Sequence, residues 1–119
     1  MGLNIVARRR VSLKGFAQGW DDCFITVKAV NEKQRNEYME RLGDTKDDEV
    51  AARVTREACL DVILGGRILN TDEAGNEAPY DFNRSEVEEV VEALSFPWQT
   101  EVLSVATGAD RLKATISSI

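Results

Sequence analysis

Residues 70–81 read NTDEAGNEAPYD and place four acidic side chains, a glycine and a proline within twelve positions. Three kinds of chemistry use such a stretch. Aligned on a calcium loop, Asn70 takes the first position, Asp72 the third, Ala74 the fifth, Gly75 the sixth and Asp81 the twelfth. Glycine then falls at the required sharp turn, but Ala74 offers no oxygen ligand. Asp81 stands where a longer glutamate is needed, and Pro79 lies where the exiting helix should begin. A general acid and base could be drawn from the same carboxylates, yet neighbours in one turn are poorly held, and no apolar pocket is evident to raise a pKa. The third reading is a turn. Ile68 and Leu69 lead in, TDEAGN reverses the chain, and Gly75 is free to take a positive φ. Pro79, Tyr80 and Phe82 then re-enter the core, and Ser85 caps the next helix. The expectation is a structural connector that pins an aromatic pair, with no catalytic, metal or cofactor-binding residue.

The remaining reactive side chains are few. There is no histidine, which removes Ser-His-Asp and Cys-His catalysis, most zinc sites and the usual base near neutral pH. Cys23 and Cys59 form no CxxC pair and sit among apolar neighbours, as buried free thiols do. No G-x-x-x-x-G-K-[ST] loop occurs, so no nucleotide site is expected. The net charge of −6 repels phosphate backbones and argues against nucleic acid as a partner. Arg8, Arg9 and Arg10 run against that balance and read as a solvated strand edge that resists aggregation.

These residues need elements to hold them. At 119 residues, 43% apolar and 30% charged, the chain has the make-up of one ordinary globular domain. A chain of this length hides roughly two-thirds of its unfolded surface, enough for one core without staples. No apolar run approaches the roughly 20 residues that cross a bilayer, so no membrane partner is expected. The start, MGLNIVARRRVSLKG, lacks the apolar stretch of a secretory signal, and Val6 stands where a myristoylation site needs Ser or Thr.

Val6 to Leu13 and Cys23 to Val30 (CFITVKAV) read as strands. In the second, Cys23, Ile25, Val27 and Ala29 share one face and Phe24, Thr26 and Lys28 the other. Asn31 with Gln34 makes a helix start, and Glu32 to Leu42 carries a thin stripe of Tyr38, Met39 and Leu42 closed by Gly43. A helix from about Asp47 or Asp48 carries Val50, Ala51, Val54, Ala58 and Val62 at helical spacing. Its apolar last turn is expected to stop at Gly65-Gly66. Ser85 and Glu88 give a capping signature before Val87, Val90, Val91 and Leu94. A last helix from about Pro97 carries Trp98, Val102, Val105, Ala109, Leu112 and Ile116, with Gly108 as its weak point. The expected fold is α+β: an N-terminal β-hairpin or small sheet followed by about four α-helices. It is a single helix-rich domain over 1–119, β-rich over 1–30 and mainly helical over 31–116.

A basic extended start, then GWDDCFITVKAV, a charged helix, a second helix running into ACLDVILGGRILNTDEAGNEAPYDF, a capped acidic helix and a segment opened by FPW follow one another. This layout resembles the tail assembly chaperones of long-tailed, siphovirus-type bacteriophages. In that family a helix feeds V-x-G-[apolar], a D-x-x-G turn, a proline and an aromatic. Here the matching residues are Val62 to Gly65, Asp72 to Gly75, Pro79, Tyr80 and Phe82. The family usually has an aromatic after the glycine, whereas this chain has Gly66 and Arg67.

The resemblance implies a small non-enzymatic protein in the host cell cytoplasm. Many copies would bind the tape measure protein and keep it soluble until the tail tube polymerises around it. It also implies the tail tube protein as a second partner, through a longer frameshifted product, and leaves self-association into a homo-oligomer open. Two other readings remain at this point: a structural tail completion or connector subunit, and a binding adaptor unconnected with phage. A helical client with exposed apolar faces calls for an apolar groove, and large aromatics dominate such contacts. Phe96, Trp98 and Trp20 are therefore the partner-binding candidates. Core packing is the plainer reading for each, most of all for Trp98 on the periodic stripe, with Phe96 beside Pro97 as the more exposed.

Overall fold

Alternation of apolar and polar residues sets the first half of the fold. The computed structural model describes residues 7–43 and 47–108. In β1 (Arg8–Ser12) and β2 (Phe24–Lys28), Val11, Ile25 and Val27 point into the core, while Arg8, Arg10 and Ser12 are exposed on the other face. The two strands pair antiparallel, with Val11 opposite Ile25 and Ser12 opposite Phe24. On the outer face the Arg10 guanidinium lies 4.1 Å from the centre of the Phe24 ring. Asn31 caps α1 (Glu32–Gly43) as its spacing with Gln34 predicts, accepting the Gln34 amide at 2.8 Å. Asp47 caps α2 (Asp48–Val62) by accepting from the Glu49 amide. Val54, Ala58, Cys59 and Val62 form the buried stripe of α2.

The sequence predicts that the chain then stays mainly helical, and the structure overturns this. Strands are interleaved with helices: α2 is followed by β3 (Ile63–Thr71) and β4 (Glu77–Phe82). Together with the first hairpin they form one four-stranded antiparallel sheet in the order β1-β2-β3-β4. The helix stops at Val62 because the Ile63 amide closes its last turn on the Cys59 carbonyl and the backbone becomes extended there. Gly65 and Gly66 therefore do not end a helix. They sit inside a central strand, at the point where β2 and β4 press on β3 from both sides. A β-carbon on Gly65 would meet the Phe82 carbonyl oxygen at 2.9 Å, and one on Gly66 would overlap the Phe24 carbonyl oxygen. A bulge falls at the same place. Thr26 pairs with Gly65 and Val27 with Ile63, which leaves Leu64 as the extra residue.

Asn70 to Asp81 is thus a hairpin with a folded tip. The Asp72 carboxylate accepts from the amides of Ala74 and Asn76, each at 2.9 Å, and Gly75 takes a φ of 87°. The expected aromatic pair separates: Phe82 is buried, but Tyr80 is 40% exposed and does not enter the core. After β4 comes a single 3₁₀ turn (Arg84–Glu86), then α3 (Val87–Ala93) and α4 (Phe96–Thr107). The cap there is Asn83 rather than Ser85. Asn83 accepts from the Ser85 amide at 3.0 Å, and Glu86 reaches back to the Asn83 amide at 3.2 Å.

α4 packs on β1 and β2, α3 on β3, and α2 against α1, α3 and α4. One hydrophobic cluster joins the sheet to these helices, with Val11, Ile25, Val27, Ile63, Val91 and Val102 at its centre. Gln99 on α4 donates to the carbonyls of Val91 and Leu94 and so satisfies the end of α3. Cys23 and Cys59 are both free and buried, and burial pushes the Cys59 thiol up to about 12. α4 ends on Gly108, in the left-handed conformation. The expected continuation through Ala109, Leu112 and Ile116, the contribution of Val6 and of the Leu42 side chain, and positions 44–46 of the turn lie outside the described residues.

Candidate functional site

β3 and β4 run past the end of β2, whose last partner on β3 is Arg67. Their far half, Ile68 to Thr71 against Glu77 to Tyr80, has no strand beside it on the β2 side among the described residues. The loop after β1 fills that side instead. It folds by consecutive short turns: the Phe16 amide donates to the Leu13 carbonyl, Trp20 to Ala17 and Cys23 to Trp20. These turns bring Phe16 and Trp20 together at 4.7 Å between ring centres. Gly19 passes so close to the hairpin that a β-carbon there would lie 3.6 Å from the Leu69 side chain.

Between this loop, the hairpin and α3 lies a groove of about 570 Å³. Phe16 and Trp20 form one wall, Ile68 and Tyr80 the hairpin wall, and Val90 of α3 with Leu94 just beyond its end the third. Two carboxylates, Glu86 and Glu89, stand on the α3 side of the mouth. Glu86 is held in place: it accepts from the Tyr80 hydroxyl at 2.5 Å and from the Asn83 amide. The Tyr80 phenol is shifted above its ordinary range, first by that hydrogen bond, then by desolvation and by the charges of Glu86 and Glu89. The mouth is therefore negative while the interior is apolar.

The three partner-binding candidates fall in three different places. Trp20 lines the groove. Trp98 is partly buried against the core and meets Phe16 edge-on at 5.5 Å. Its outer side borders a second, shallower depression of about 360 Å³ with Ser12, Lys14, Pro97 and Glu101. Phe96 is 50% exposed at the start of α4 and lines neither. Phe16 thus links the two tryptophans, and Phe96 stands apart.

Sequence reading passed over Phe16, Ile68, Tyr80, Leu94, Glu86 and Glu89. A signal was present for the hairpin pair. Ile68 with Asn70, and Tyr80 with Phe82, alternate on either side of a turn as paired strands do. No local signal brings the 13–20 loop against them.

Elsewhere the polar chemistry is structural. Asp81 pairs with Arg67 at 2.9 Å, and Arg56 reaches both Glu88 and Glu92 at 3.4 Å. Asp61 holds the Tyr38 hydroxyl at 2.7 Å and Lys28 at 3.5 Å. Among the described residues no group of three or more His, Cys, Asp or Glu is placed to hold a metal ion, and no helix is long and apolar enough to cross a membrane. Set against protein-family models, curated proteins and solved structures, the chain matches none of them.

Proposed function

We propose that this chain is a binding protein and not a catalyst: a tail assembly chaperone that seats apolar helical segments of a tape measure protein in the groove between the 13–20 loop, the β3–β4 hairpin and α3. What supports this is the groove itself, which is walled by aromatic and aliphatic side chains from three elements. An amphipathic helix laid into such a groove buries its apolar stripe there, and each large side chain removed from water contributes about 1.5–3 kcal/mol. The resemblance in the sequence supplies the client; the groove supplies a surface that fits it. Masking by contact needs no bond made or broken, and one copy covers only a short length of client. Solubilising a long rod in the host cytoplasm then takes many copies, each displaced as the tube grows.

Co-expression with the tape measure protein of the same genome tests this. The soluble fraction of the rod should rise with the intact chain and fall back with Trp20→Ala or Tyr80→Ala, each variant first checked for native circular dichroism. If the rod precipitates equally with and without the intact chain, the proposal is wrong. Mass spectrometry of purified virions separates it from a completion or connector subunit, which would persist in the particle.

A further inference from the structure

We infer that the groove selects its client by charge: the helix it takes carries Lys or Arg along the border of its apolar stripe, on the side that meets Glu86 and Glu89. This rests on the groove being the binding surface and adds which kind of helix it accepts.

The two sides of the mouth differ. Phe16 and Trp20 close one side with hydrocarbon, whereas Glu86 and Glu89, one helical turn apart, border the α3 side. Their situations also differ. Both oxygens of Glu86 are engaged, by the Tyr80 hydroxyl and the Asn83 amide, so it stays where it is. Glu89 is exposed and accepts no hydrogen bond among the described residues. A carboxylate left without a partner beside apolar walls favours an approaching ammonium or guanidinium and disfavours another carboxylate. Long basic side chains suit the place, because their stems can lie over Val90 and Tyr80 while the head reaches Glu89. The chain's own charge of −6 acts in the same direction at longer range.

The occupant is a helix and not an added strand. β4, the edge strand that borders the groove, carries Pro79 in its middle, which has no N–H to offer and blunts strand addition there.

Three designed helical peptides with one shared Leu/Phe stripe test the selection, their flanking positions filled with Lys, Gln or Glu. Binding is read from Trp20 fluorescence in a Trp98→Phe variant, since Trp98 does not line the groove. The Lys peptide should bind tighter than the Gln peptide, and the Gln peptide tighter than the Glu peptide, by roughly two- to fivefold per step, as partly exposed ion pairs give. Added salt should shrink both steps. Glu89→Gln should remove most of the Lys peptide's advantage over the Gln peptide, measured side by side in the same variant. Equal binding of all three peptides, unmoved by salt, would overturn charge selection and leave the groove as the site. If no peptide changes Trp20 fluorescence, the groove is not the site and both inferences fall.

Discussion

Replacing Gly66 by alanine should damage this fold far more than a single methyl group usually does. Gly66 lies in β3 between two neighbours, with a φ of 152°. A β-carbon there would overlap the Phe24 carbonyl oxygen and come within 2.9 Å of Ile25 Cα and 3.0 Å of the Phe82 ring. The first two are backbone atoms of the adjacent strand and cannot rotate away, so β2 and β3 would have to part where Phe24 pairs with Arg67 and Ile25 with Gly66. The positive φ alone costs an L-residue about 1–3 kcal/mol. Losing ladder contacts beside the core brings the expected total to about 3–5 kcal/mol, in the upper tail for point substitutions. Against a whole-domain stability of roughly 5–15 kcal/mol, that leaves a marginal protein.

Gly75 is the control. It has a similarly positive φ of 87°, but none of the described residues comes within 4 Å of its missing β-carbon, so Gly75→Ala should cost only about 1 kcal/mol. Urea unfolding followed by tryptophan fluorescence reads both. With slopes of roughly 1–3 kcal/mol/M, a loss of about 4 kcal/mol moves the midpoint down by about 2 M. If Gly66→Ala unfolds no earlier than Gly75→Ala, Gly66 is not enclosed between strands. The β2–β3 register is then wrong, and the reading of Gly65-Gly66 as a simple helix stop returns.

Ile25 is fully buried in a central strand, so Ile25→Ala should cost about 2–5 kcal/mol, while Phe96→Ala, at 50% exposure, should stay within about 0.5 kcal/mol; thermal or urea melts compare them. Any loss of client solubilisation in the Phe96 variant would then be a binding effect, and the groove geometry predicts none. Cys59 should be inert to thiol reagents in the folded protein and react only as urea opens the core. Its folded-state value of about 12 lies above that of an unfolded thiol, so its contribution to stability is full below the ordinary thiol range. That contribution is lost as pH rises through about 12, and a Cys59→Ala variant should show a shallower alkaline decline in urea midpoint.

Period and capping chemistry made part of this fold legible. Cys23, Ile25 and Val27 alternate and are buried; Asn31 and Gln34 form the cap they suggest; Val54, Ala58 and Val62 line the inner face of α2. The second hairpin was hidden because Cys59, Val62 and Ile63 continue a helical stripe without a break, and short apolar runs do not distinguish helix from buried strand. What settles the matter is non-local. Phe24 stands opposite Arg67, and the Phe82 carbonyl presses on Gly65; nothing next to the glycines in sequence announces either neighbour. The candidate site shared that fate. Trp20 could be named from its type, but its grouping with Ile68, Tyr80 and Leu94 exists only once β3 and β4 are strands.

The acid-rich hairpin also shows why counting carboxylates misleads about their use. Asp72 spends its side chain folding the turn, on the amides of Ala74 and Asn76. Asp81 faces its cross-strand partner Arg67, which has Phe24 on its other flank. Neither is left to meet a ligand. The carboxylates that do face a cavity, Glu86 and Glu89, come from the 3₁₀ turn and α3, where the sequence alone reads as the capped start of a helix. Glu86 is fixed by two bonds, from the Asn83 amide and from the Tyr80 hydroxyl, and Tyr80 can reach it because it lies on the exposed part of β4 rather than in the core. A residue that fails to bury where its aromatic character predicts burial thereby helps to hold one carboxylate at the groove, and the charge selection proposed above depends on that carboxylate and on Glu89 beside it.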